Sequence, residues 1–379
     1  MDNGDIHQLN LTVVSVPGGG ESGIGDYTDE LISELSGTTA EKINLPLNSN
    51  NPFKFALSAI KAGQTKADVI HVQHEYGLFG VGSAMSWVFF PLLYFIAALQ
   101  GKSVVVTFHE ALNKNLVTQP LQRIKQQYIT LLNKCIVLNA KHVVFLSETS
   151  ANKLTSSVEL NSYIILPHGV NLSKKTKLTK AEAKRNFGYD STDVVISEPG
   201  YIEPRKGSDI ILKLAKQLPM FEFLIAGGPP SEAYTEYAEQ LQEQAPSNVQ
   251  ITGQLPTNRF HQSFVASDLI ILPYRNAKQN GIINSLNQSG IFNRCATYGN
   301  PTITSSLDHF CAIKQQWNCI ITCEFNDLKK SSRMIEDTVS SESKCDELSD
   351  KIQKYARENS FKKVGRRHTD IYHNIVESK

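Results

Sequence analysis

The sequence predicts an α/β protein built from two successive doubly wound units. Three observations carry this. The chain has 379 residues, more than twice the ~150 of a usual domain, and 41% of them are hydrophobic against 20% charged, which is enough apolar material for two cores. Short runs rich in β-branched residues alternate with segments of helical spacing, the mark of parallel sheets with crossover helices. A Lys-rich polar stretch near the middle interrupts that alternation once.

In order, residues 9–17 read as a strand, followed by a glycine cluster (Gly18, Gly19, Gly20, Gly23, Gly25) and a helical stretch over 26–35. Strand-length apolar runs recur at 68–73, 103–108, 142–146 and 163–166, with helical spacing at 52–62 and 121–138. The apolar run 87–99 is shorter than the roughly 20 residues that span a bilayer. It also contains Pro91 and leads into VVVTF, so a core helix is expected. The interruption, 172–190, carries Lys174, Lys175, Lys177, Lys180, Lys184 and Arg185 and reads as a linker with a short helix. Strand-like runs restart at 194–197, 222–226, 249–252, 269–272, 302–304 and 319–322, and the tail 336–378 is charged and helical. The expected division is 1–180, 181–362 and a last helix over 363–379.

Lys+Arg at 38 against Asp+Glu at 37 gives a net charge of +1, so no global polycation points to nucleic acid. The six cysteines (Cys135, Cys295, Cys311, Cys319, Cys323, Cys345) lack paired CxxC spacing. They read as reduced thiols of a cytoplasmic protein. Residues 1–10 are polar and acidic, unlike a signal peptide.

Three motifs carry chemistry. In PGGGESGIGDYTDEL, 17–31, glycines between strand and helix would let backbone N–H groups approach an anion at a helix N-terminus; a merely tight turn fits equally. In GYIEPRKGSDIILKLA, 200–215, Arg205 and Lys206 precede Gly207 and a helix. Cations there suit a diphosphate, and a solvated turn is the even alternative. In DVIHVQHEYGLFG and VVVTFHE, His71, His74 and His109 lie at or just past strand carboxyl ends, where open α/β sheets bind ligands. They have neither HxH nor HExxH spacing, so no metal is expected. His109 is the better candidate to touch a substrate.

Together with HVVFLSE, ILPHGV, FLIAGG, SDLIILPYR and QSGIFNRCATYGNPTI, these motifs resemble, in order and spacing, the retaining glycosyltransferases of family 4. The resemblance implies the GT-B fold: two Rossmann-like doubly wound domains facing a cleft, the first on the acceptor side, the second on the donor nucleotide side. The last helix would cross back to the first domain. It implies a nucleotide-sugar donor, a glycan, lipid-linked or other hydroxyl acceptor, retention at the anomeric carbon, and no cofactor or metal. Gly19, Gly20, Gly23 and Gly25 would face the donor diphosphate with Arg205 and Lys206. His109 would lie beside the transferred sugar as the catalytic candidate. Arg275, Gln288, Ser289, Gly290 and Arg294 would border the donor sugar and nucleotide, and His74, Glu75 and Tyr76 the acceptor. The leaving diphosphate gathers negative charge, so preorganised cations and N–H groups should supply most of the rate.

The sequence departs from that family in one place above all. The two glutamates with seven residues between them fall on Leu286 and Arg294, and Asp308 is the only acid between Arg275 and Cys323. Tyr201 replaces a frequent arginine and Asn171 a common aspartate. A carboxylate on two ribose hydroxyls is worth about 1.5–3 kcal/mol, or roughly ten- to a hundredfold in affinity. Two readings follow: an active transferase with an altered grip on its donor, or a catalytically inactive subunit that binds or activates a partner glycosyltransferase. The retained glycine loop, His109 and Lys206 favour the first.

Between Ala111 and Ser147 there is no acid, while Lys114, Arg123, Lys125, Lys134 and Lys141 are present. Leu121, Ile124, Tyr128, Leu131, Leu132 and Cys135 form a stripe at helical spacing. Such a helix would either rest on anionic lipid at the inner face of the membrane or pack by its stripe with lysines outside.

Overall fold

The computed structural model describes residues 8–19, 22–118, 121–173, 176–279, 282–284 and 286–378. It divides into two units, one of Met1–Gly169, Gln279–Ile283 and Asn359–Lys379, the other of Val170–Lys278 and Asn284–Glu358.

The first unit runs β1 (Leu9–Ser15), α1 (Gly23–Ser33), β2 (Thr38–Asn44), α2 (Pro52–Gln64), β3 (Val69–His74), α3 (Ser86–Leu99), β4 (Ser103–Phe108), α4 (Gln122–Val137), β5 (His142–Phe145), α5 (Glu148–Thr155) and β6 (Tyr163–Ile165). Its parallel sheet has the order β2-β1-β3-β4-β5-β6. Strand alternation sorts the side chains. Val14, Ile70, Val72, Val106 and Phe108 pack with Phe55 of α2, Phe90 of α3, Leu132 of α4 and Leu154 of α5. Leu11, Val13, Val69, Val105 and Val144 turn the other way, toward Ile32 of α1 and toward Tyr372 and Ile375 near the C-terminus. A sheet covered on both faces needs apolar residues at every position, which is why its strands read as continuous hydrophobic runs. The 87–99 run is α3, a 14-residue helix with Pro91 inside it.

Onward the chain runs α6 (Lys180–Asn186), β7 (Val195–Pro199), α7 (Ser208–Gln217), β8 (Glu222–Ala226), α8 (Thr235–Gln244), β9 (Val249–Ile251), α9 (Thr257–Ala266), β10 (Leu269–Leu272), β11 (Ala277–Gln279), β12 (Ile282–Asn284), α10 (Gly290–Tyr298), β13 (Thr302–Ser305), α11 (Asp308–Trp317), β14 (Ile321–Cys323), α12 (Leu328–Val339) and α13 (Glu342–Glu358); these form the second unit, except that Gln279–Ile283 of the β11–β12 ribbon group with the first. The order β14-β13-β10-β7-β8-β9 is the Rossmann order 3-2-1-4-5-6 counted within this unit. Ile196, Phe223, Leu269 and Ile271 fill one side with Leu214 of α7 and Ile335 of α12. Ile270 and Leu272 fill the other with Phe264, Phe292, Phe310 and Tyr355.

The units part at Gly169–Val170 rather than at residue 180. Val170 sits in the second unit's core with Phe264 and Phe292, and Thr297 donates to the Asn171 carbonyl at 3.0 Å. The C-terminal segment joins the first unit from Asn359, four residues before the expected 363. Phe361, the first residue of α14 (Phe361–Glu377), packs there with Tyr27, Leu31 and Leu146.

Candidate functional site

Each unit presents candidate residues where its strand order reverses, and each is taken by itself. In the first unit that reversal lies between β1 and β3. The chain leaves β1 through Pro17 and Gly18, takes a left-handed conformation at Gly19 (φ +74°), and enters α1 with Ser22 as its N-cap. A Cβ on Gly25 would run into the Pro17 carbonyl. Glycine there is therefore what lets the loop lie against the first turn of α1. Gly23 opens α1 with free space around its Cα. Gly20 lies outside the described residues.

His109 follows β4 directly. Its backbone N–H donates to the His74 carbonyl at 2.9 Å, and its Nε2 lies 2.8 Å from Gln73 Oε1. The Tyr27 ring of α1 meets it edge-on at 4.9 Å. The residue is 4% exposed. Burial, with His168 and His74 adding to it, pushes its pKa down to about 3. His109 is thus a neutral imidazole at physiological pH, able to accept or donate one hydrogen bond but not to act as a resident cation.

His74 and Tyr76, expected beside the acceptor, are both buried in the structure. The β3 alternation points His74 away from His109 and into the α2–α4 face, among Phe79, Phe90 and Phe108. It is 0% exposed, neither ring nitrogen has a hydrogen-bond partner among the described residues, and burial lowers its pKa to about 3. The buried Tyr76 donates to Asn133 Oδ1 at 2.7 Å and accepts from the Leu112 N–H at 3.2 Å, which ties the 110–113 loop to α4. Of the three, only Glu75 reaches the surface in part.

In the second unit the order reverses between β7 and β10. Gly207, at φ +85°, caps α7 so close to β10 that a Cβ would strike the Pro273 carbonyl. This draws Lys206 onto the residue after Pro273: its Nζ stands 3.9 Å above the Tyr274 ring. Burial lowers its pKa to about 8, Arg205 pushes the same way, and Glu203 and Glu198 oppose them. The two arginines are already engaged. Arg205 Nε donates to Glu203 Oε1 at 2.9 Å, while Arg275 Nη2 bonds both Asp209 oxygens at 2.7 and 2.9 Å. The Arg275 N–H also donates to the Arg205 carbonyl at 2.8 Å, so the β10 end and the β7–α7 loop form one piece.

Beneath Lys206 lies a residue that sequence reasoning missed. Glu198, the fourth residue of β7, is 1% exposed. Its Oε2 accepts from Ser208 Oγ at 2.8 Å, and its Oε1 has no hydrogen-bond partner among the described residues. Burial raises its pKa to about 8, against the pull of Ser208 and Lys206. An acid inside the run VVISEP was the available signal.

Ser289 caps α10 by accepting from the Phe292 N–H at 3.1 Å, Gly290 is exposed at its first position, and the buried Gln288 Oε1 has no partner among the described residues. Ile291 lies against the Gly200 turn after β7, so the start of α10 belongs to the same region. Leu286 is buried with Phe292 and Phe310. Arg294 rests its guanidinium 5.3 Å from the Phe260 ring of α9. Neither position of the family's glutamate pair offers a carboxylate. Among the described residues no group of three or more His, Cys, Asp or Glu could hold a metal, and no helix is long and apolar enough to cross a membrane.

No protein-family model matches the chain. It is 28% identical over 117 residues to an α-galactosylglucosyldiacylglycerol synthase of Streptococcus pneumoniae, covering 29% of this chain and 31% of that one. It is 24% identical over 237 residues to a D-inositol 3-phosphate glycosyltransferase of Mycolicibacterium smegmatis, covering 59% and 52%. The matches thus span about a third to a half of those relatives. Among solved structures, Anabaena HepE in complex with UDP superposes with a TM-score of 0.74 at 10% identity over 97% of this chain and 100% of that one. The fold is that of the GT-B glycosyltransferases, and the chain is similar in sequence to transferases of the family-4 type.

Proposed function

We propose that the protein transfers a sugar from a nucleotide-diphosphate donor to a hydroxyl acceptor, with retention and without a metal. One observation carries the reading: Lys206 stands at the Rossmann reversal point, beside the N-terminus of α7, with its Nζ 3.9 Å over the Tyr274 ring. A buried cation next to a helix dipole is suited to a diphosphate that becomes more negative as it leaves. The UDP bound by HepE supports uridine as the first nucleoside to test. Neutral His109 would offer a hydrogen bond to the transferred sugar. With Leu286 and Arg294 in place of the glutamates, the Gln288 amide oxygen, which has no hydrogen-bond partner among the described residues, would accept from sugar hydroxyls in that segment.

The acceptor we propose is lipid-linked, met at an anionic membrane face in the cytoplasm by the first unit. The outward apolar residues of α2, α3 and α4 support this. The catalytically inactive subunit that serves a partner transferase is the competing reading, favoured by the burial of Leu286 and the stacking of Arg294.

Thermal denaturation against a panel of nucleoside diphosphates tests the donor site. A ligand at a hundredfold excess over its Kd adds about 2.7 kcal/mol. The expected result is a shift with one base, lost in Lys206→Ala; no shift with any diphosphate would overturn the proposal.

A further inference from the structure

We propose that Gln73 is a positioning residue that fixes His109 in its Nε2–H tautomer, and that a buried relay anchored on α14 fixes Gln73 in turn. The inference rests on the reading of His109 as a donor-site residue.

The relay follows from strand alternation. His71 and Gln73 on β3 point to the α1/α14 face, and their register partners on β4 are Val105 and Thr107. His71 Nδ1 lies 2.6 Å from the Tyr372 hydroxyl of α14. Its Nε2 lies 2.7 Å from Thr107 Oγ1 and 3.3 Å from Gln73 Nε2. Gln73 Oε1 then lies 2.8 Å from His109 Nε2. His71, Gln73, Thr107 and Tyr372 are all 0% exposed, so bulk solvent supplies no alternative partner.

The orientation of the Gln73 amide sets the donor and acceptor roles along the relay. The Gln73 amide nitrogen donates, so His71 Nε2 accepts and the His71 proton sits on Nδ1, donated to Tyr372. The Gln73 carbonyl accepts, so His109 carries its proton on Nε2. Both imidazoles are neutral, because burial holds His71 well below the usual histidine range and His109 at about 3, and each therefore has one N–H to place. His109 Nδ1 is left with a bare lone pair. The relay thus makes His109 an acceptor at Nδ1, suited to a sugar hydroxyl and unsuited to proton donation. Reversing the Gln73 amide would demand an Nδ1–H imidazole and abolish that acceptor. The ionisable groups around His109 are His74 and Gln73's neighbour His71 on β3, Glu110 beside it, Tyr27 on α1 and His168 after β6.

The test is imidazole nitrogen NMR on the full-length protein, together with the pH profile of sugar-nucleotide turnover. Wild-type His109 should show the Nε2–H tautomer unchanged from pH 5 to pH 9. Gln73→Leu should mix the two tautomers and lower turnover by about ten- to a hundredfold, the scale of losing a group that orients a functional histidine. Gln73→Glu should restore the tautomer and raise the His109 pKa, bringing a new titration into the turnover profile near neutral pH. An Nδ1–H tautomer in the wild type, or an unchanged tautomer in Gln73→Leu, would overturn the proposal, and the first of these needs no variant to fold. Because the spectrum is read without substrate, it separates the two claims. The predicted tautomer with full turnover in His109→Ala would sink the donor-site role of His109 and leave the relay standing.

Discussion

At the scale of single residues, Glu198 shows how burial sets a charge state. An unfolded glutamate ionises near 4.5, and burial moves this one to about 8. The folded chain therefore keeps a proton that the unfolded chain releases. The stability associated with it is complete below pH 4.5 and declines as pH rises to about 8, at about 1.4 kcal/mol per pH unit. Lys206 acts in another window: its pKa falls from 10.5 to about 8, so its effect changes with pH only above Glu198's range. Glu198→Gln keeps the shape and removes the titration. In thermal denaturation at pH 5, 6.5 and 8 the variant should match the wild type at pH 5 and gain on it at each step. A constant gap would refute the buried neutral acid. Lys206 was legible in the sequence because a cation before a glycine and a helix has a local signature. Glu198 was not, because nothing local says that a strand-end acid points into a core. The same holds for His74: spacing puts a histidine at a strand tip, but only the packed sheet decides which face it takes.

At the scale of elements, α4 shows where periodicity stops. The stripe from Leu121 to Cys135 reads as one face. In the structure its edge at Leu132 and Cys135 is buried while Leu121, Ile124 and Leu131 are more than half exposed. The helix packs by one edge and shows the other. The neighbouring helices extend that outward surface: Phe53 of α2 is 82% exposed, Phe95 and Leu99 of α3 are also exposed, and Val81 ahead of α3 is 79% exposed. With Lys54, Arg123, Lys125 and Lys134 on the same helices, this surface suits an anionic lipid headgroup layer over acyl chains. The protein should float with vesicles rich in anionic lipid at low salt and less so at high salt. Ile124→Glu combined with Leu131→Glu should leave it in solution with its thermal midpoint little changed. Equal flotation of that variant, or none by the wild type, would contradict a membrane role for these helices.

At the scale of the whole molecule, the two sheets were legible because parallel strands covered on both faces write themselves as unbroken apolar runs. The unit boundary was missed by about ten residues, because Val170 looks like any loop valine until it is seen packed with Phe264. The β11–β12 ribbon leaves no sequence signal, since strands of three residues carry no period. The second unit carries a buried cation over an aromatic ring, and the first carries a neutral, oriented imidazole. The claim that these serve sugar transfer is tested most directly by release of UDP from UDP-glucose and its analogues in the presence of lipid extracts and simple glycoside acceptors. The account predicts acceptor-dependent release that is lost in both Lys206→Ala and His109→Ala while each variant keeps its thermal midpoint. Tight UDP binding with no release from any donor would contradict it and assign the chain to the service of a partner transferase.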